Sequence, residues 1–118
     1  MSTQKYLGFP IDPELLVRIE ELIETVKEAE NKRKYALKIY GVITELSDSG
    51  LDYFFVQPLQ RAKIGRLKLK AIKMALSTGT KSIFAVGKSI IKTMSNDQLM
   101  LIIDLFEESM TVRSEEVV

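Results

Sequence analysis

From Leu15 to Ile43 the chain carries a seam whose members fall at alternating steps of four and three: Leu15, Ile19, Leu22, Val26, Ala29, Arg33, Ala36, Tyr40 and Ile43. A repeat of 3.5 residues matches one face of an α-helix and no face of a strand, so it constrains the fold more than any other feature. Leu16, Ile23, Leu37 and Ile39 widen the seam toward the broad apolar face of a bundle helix. Asp12 and Pro13 stand where an N-cap and a first helical residue belong. The spacing predicts one helix over about 13–46. At 1.5 Å per residue it would be roughly 50 Å long. Arg33 is the charged member of the seam; it snorkels, marks a bend near Asn31, or meets an acid on a partner.

Ser47-Asp48-Ser49-Gly50 reads as a turn, with Ser49 and Asp52 at capping-box spacing. A short aromatic helix is expected over about 50–58, ended or kinked by Pro58, with Tyr53, Phe54 and Phe55 as core plugs. Stepping 100° per residue then places Lys63, Arg66, Lys70, Lys73, Lys81, Lys88 and Lys92 in one arc. Ile64, Leu67, Ala71, Ile72, Ala75, Leu76, Ile83, Val86, Ile90 and Met94 fall on the opposite side, although Lys68 intrudes there. This phase runs through Gly79 without a reset, which predicts a single helix over about 62–94. Its small residues Ala71, Ala75, Gly79 and Ser82 are expected on the buried side. Ser95 and Gln98 form a further capping-box pair before a last amphipathic helix, about 96–112. The expected fold is all-α: a single helical domain over 1–118, with an N-terminal arm at 1–11 and a tail at 113–118.

Composition matters most for what it removes. The chain has no cysteine and no histidine, which excludes thiol nucleophiles, thiolate zinc sites, histidine bases and Glu-x-x-His di-metal sites. No nucleophile–base pair emerges from spacing, so a non-catalytic chain without cofactor or metal is expected. The opening residues carry no basic-then-apolar leader, and the longest uncharged run, Tyr53 to Gln60, is too short to span a bilayer; a cytoplasmic location is expected.

Two motif likenesses fail on their context. Ala85-Val86-Gly87-Lys88-Ser89 resembles the end of a phosphate-binding loop, but Ser82 stands where the motif needs an earlier glycine or alanine and no strand precedes it. Ala75 and Gly79 have helix-turn-helix spacing, but Thr80 and Lys88 occupy positions that motif keeps apolar.

The net charge of +1 conceals a segregation. Residues 1–52 hold seven bases and ten acids, 53–96 hold nine bases and no acid, and 97–118 hold one base and six acids. Either the basic helix lies beside acidic helices of its own or a neighbouring subunit, or its stripe faces solvent and binds an anion. The first arrangement leads to an interaction module that self-associates, with a dimer favoured, through Leu15, Ile19, Leu22 and Val26, and with Arg33 paired to an acid. An acidic protein partner is compatible with the same charge layout. The second leads to nucleic acid or an anionic membrane held by Lys63, Arg66, Lys70, Lys73, Lys81, Lys88 and Lys92.

Overall fold

The computed structural model describes residues 8–110. All regular structure among them is helical: α1 (Pro13–Glu28), a 3-10 turn (Lys32–Tyr35), α2 (Ala36–Leu51), a π turn (Asp52–Val56), α3 (Gln57–Arg61), α4 (Arg66–Ile91) and α5 (Asn96–Ser109). The all-α reading holds. Residues 1–7 of the expected arm, the last two residues of the expected 96–112 helix and the tail at 113–118 lie outside the described residues.

The first long helix is two helices. Ala29 takes an extended backbone (ψ 134°), and the chain doubles back. The break is held by side chains. Lys32 Nζ donates to the carbonyls of Val26 and Ala29, both at 2.8 Å, closing the C-terminus of α1 where a cation also suits the dipole. Asn31 Oδ1 accepts from the Arg33 amide. Asn96, at the start of α5, accepts from the Lys32 amide at 2.9 Å and donates to the Glu30 carbonyl at 3.2 Å. The bend near Asn31, one of the roles open to Arg33, does form. Arg18 and Glu45, nearly equidistant from the break, meet at 2.7 Å, which fixes α1 and α2 as an antiparallel hairpin. The Arg18 hydrogen bond holds the Glu45 carboxyl below its ordinary pKa, so this contact is present at neutral pH and is lost as pH falls through that depressed value.

Leu15, Ile19, Leu22, Ile23 and Val26 of α1 pack with Ala36, Ile39 and Val42 of α2, Ile91 of α4, and Leu99 and Ile103 of α5. Five of these are under 2% exposed: Ile19, Val26, Ile39, Leu99 and Ile103. Asp12 occupies the N-cap of α1, but its side chain makes no capping bond; Pro13 does take the first turn. The Ser95–Gln98 capping box forms in full and starts α5.

The expected turn at Ser47–Gly50 is helical. Ser47 bonds back to the Ile43 carbonyl and so does not compete for the backbone, and Gly50 admits the Phe9 ring, which a Cβ there would meet at 3.4 Å. The helix therefore continues to Arg61, absorbing Pro58 in the wide turn just before it, where Gln57 N–H reaches back to Asp52. An extra residue in that turn relieves the clash a proline ring makes with a regular helix. Tyr53, Phe54 and Phe55 are consequently not core plugs. They are 38–48% exposed, with Phe9 tilted against Tyr53 and edge-on to Phe54, and Val56 is the residue that turns inward.

α4 is one helix through Gly79, as its phase predicted, although shorter than 62–94. It runs antiparallel to α2: Tyr40 hydroxyl donates to the Phe84 carbonyl, their rings meet edge-on, and Tyr40 packs over Gly87. Farther along, Asp48, Leu51 and Val56 face Lys73, Leu76 and Thr80. The π turn, α3 and the first half of α4 thus form an arm in which Val56 alone is fully buried. The radius of gyration, 16.8 Å, exceeds the ~13 Å of a compact domain this long.

The two glycines of α4 make opposite predictions. Nothing lies within 4 Å of a Cβ at Gly79, so Gly79→Ala is expected to raise stability by about 1 kcal/mol through helix propensity. At Gly87 a Cβ would stand 3.1 Å from the Tyr40 ring and hydroxyl, and Gly87→Ala is expected to lower stability by about 1–2 kcal/mol despite the same propensity gain. Urea unfolding of both variants checks the reversal of sign.

Candidate interaction surface

Leu15, Ile19, Leu22 and Val26, predicted from the seam to meet a second copy, are at most 7% exposed within the single chain. The hairpin uses them: once α1 folds back on α2, the apolar seam becomes an internal one. Arg33 is exposed beside the break. These four side chains are therefore not available to a second copy of the folded chain.

The seven stripe residues, Lys63, Arg66, Lys70, Lys73, Lys81, Lys88 and Lys92, are all exposed. The ion pairs among the described residues are Arg18–Glu45 and Lys27–Glu107, and neither involves α4. The acidic helices of the same chain do not pair with the stripe.

At the end of the arm the bases sit against local preference. The α3–α4 turn is a Schellman arrangement: Ile64 N–H reaches the Leu59 carbonyl and Lys63 N–H the Gln60 carbonyl. Its left-handed position, φ 59°, is taken by Lys63 where glycine is favoured. α4 then opens with Arg66, Lys68 and Lys70, without an acid in its first turn and with no side-chain cap at Gly65. Cations at a helix N-terminus oppose its dipole. Local stability does not account for five bases between Arg61 and Lys70.

α4 also leaves much apolar surface uncovered. Leu69, Ile72, Leu76, Thr80, Phe84, Gly87 and Ile91 turn toward the chain. Leu67 is 84% exposed, and Met74, Ile83, Val86 and Ile90 are each more than half exposed. The small residues Ala71, Ala75, Gly79 and Ser82 are exposed as well, contrary to their expected place on the buried side. The helix therefore has one face against α2, one basic face and two open apolar patches: Leu67 and Met74 in its first half, and Ile83, Val86 and Ile90 farther round the helix in its second half. The signal was present in the sequence, since the apolar residues of α4 cover a wider arc than one neighbouring helix occludes. On α5, Leu101 and Leu105 also point outward.

Two open clefts flank α2. One, of about 420 Å³ between α1 and α2, is lined by Arg18, Glu21, Thr25, Tyr35 and Lys38 among others. The other, of about 490 Å³ between α2 and α4, brings Asp48 and Asp52 opposite Lys73 and Lys81. Both linings mix acids with bases. Among the described residues no three carboxylates converge, and no helix is long and apolar enough to cross a membrane. The Gly87-Lys88-Ser89 and Ala75–Gly79 likenesses both fall inside the uninterrupted α4, with neither a loop nor a turn. Comparisons with protein-family models, curated proteins and solved structures find no significant match.

Proposed function

We propose that this chain is a non-catalytic, self-associating helical interaction module whose contact helix is α4. The observation that carries the reading is the open apolar surface on the first half of α4, where Leu67 and Met74 are 84% and 62% exposed and Ala71 and Ala75 beside them are exposed too, all within one arc of about 100°. Single exposed apolar residues are common, but a contiguous apolar face marks a contact. A two-fold dimer is the commonest closed way to cover such a face. Light scattering at tens of micromolar is expected to give twice the 13.4 kDa mass of the chain. Replacing Leu67 and Met74 by glutamate is expected to return the monomer with helicity unchanged. A wild-type monomer, or a dimer indifferent to the two substitutions, sinks the reading.

The second reading, an anion-binding surface, is favoured by the exposure of all seven stripe residues without a carboxylate partner among the described residues. It supposes binding to nucleic acid or an anionic membrane that weakens steeply with salt as counterions are released. Titration of short duplex DNA and of anionic vesicles at rising salt separates it from the first.

A further inference from the structure

The first half of α4 and the outer face of α5 complement each other. Along α4, Leu67, Lys68, Ala71, Met74 and Ala75 fall within one arc of about 120° at 100° per residue, and all are exposed. Along α5, Asp97, Leu101, Asp104, Leu105 and Glu108 occupy an arc of about 100°. Leu101 and Leu105 there are 68% and 59% exposed, and none of the three acids enters an ion pair among the described residues. We infer that the first half of α4 in one copy docks on the outer face of α5 in a second copy, reciprocally, so that each arm lies across the other's head. The inference rests on the self-association reading and names the surface that α4 meets.

Three observations support α5 as the occupant. Charge is the first: an α4–α4 pairing would set two basic helices together, whereas α5 brings carboxylates to Lys68, the one base inside the apolar arc. Size is the second. Half of α4 and the whole of α5 are each roughly 20 Å long, and the arm carries that half of α4 away from its own core. Each copy contributes both faces, so Leu67, Met74, Leu101 and Leu105 are all covered in one closed contact. The third is the cation-rich opening of α4, which disfavours the isolated helix and is relieved by an acidic neighbour. A reciprocal contact also covers both faces at once and closes on two copies, whereas a one-way contact of the same surfaces would grow a filament.

The test is a charge exchange read by sedimentation equilibrium. Variant one carries Lys68→Glu and Lys70→Glu, and variant two carries Asp104→Lys and Glu108→Lys. Each alone is expected to weaken the dimer at least tenfold. Variant one should keep its helicity and unfold no more easily than the wild type where both are monomeric, because Lys68→Glu puts a carboxylate in the first turn of α4, so lost assembly is not lost folding. Mixed in equal amounts, the two should form a heterodimer close to wild-type affinity, each contact again pairing acid with base. Wild-type dimers that persist in both variants, or a mixture that stays monomeric, overturn the α5 contact while self-association stands. A wild-type chain that is monomeric alone but binds phosphatidylserine vesicles or duplex DNA through Lys68 and Lys70 overturns both.

Discussion

Leu99→Ala is expected to lower the unfolding free energy by about 2–5 kcal/mol, whereas Leu67→Ala, measured at protein concentrations low enough to keep the chain monomeric, is expected to change it by less than about 0.5 kcal/mol. The two substitutions delete the same atoms. Leu99 is 0% exposed, in a core shared by α1, α2, α5 and the end of α4, and its removal leaves a cavity those four helices cannot close without moving. Leu67 is 84% exposed on the arm and leaves nothing behind. Domains of this size are stable by about 5–15 kcal/mol, so the loss at Leu99 is a large share of the total. Paired urea melts decide the matter. Equal midpoints for the two variants would mean that α5 is not part of the core.

Tyr40→Ala carries the second large effect, a loss of about 3 kcal/mol. Tyr40 fastens α4 to α2 by three means: its hydroxyl donates to the Phe84 carbonyl, its ring meets Phe84 edge-on, and it packs over Gly87. Tyr40→Phe removes only the hydroxyl and is expected to cost about 1 kcal/mol, the value of one hydrogen bond. The difference between the two variants measures the ring. Because Tyr40 and Gly87 touch, Tyr40→Ala combined with Gly87→Ala is expected to cost less than the separate losses added together. Strict additivity in that double-mutant cycle would show that the two residues do not share the contact.

Features that depend on neighbours in sequence were legible before the structure. The continuity of α4 followed from a phase that survived Gly79, and the start of α5 from Ser95 and Gln98. The basic stripe was likewise readable from spacing alone. Features decided by distant residues were not. The seam through Ala29 and Arg33 is an uninterrupted helical signal, yet the chain turns there because Asn96, more than sixty residues on, takes the Lys32 amide and the Glu30 carbonyl. Ser47–Gly50 has turn chemistry but is held in a helix by its packing partners, Phe9 among them. Which apolar arc of α4 is covered depends on where α2 lies, and sequence periodicity cannot distinguish a covered face from an open one.

The π turn at Asp52–Val56 has an effect on direction that its side chains do not suggest. One surplus residue adds roughly 100° of rotation about the helix axis for little advance along it. In an unbroken α-helix Val56 would continue the row of Ile39 and Val42, which faces α1. Turned back by that increment, it joins Tyr40 and Leu51 on the side that meets α4. The turn acts as an indexing step in a screw. The azimuth of everything beyond it is fixed by how many residues it holds, and the three aromatics face outward because they occupy the step itself.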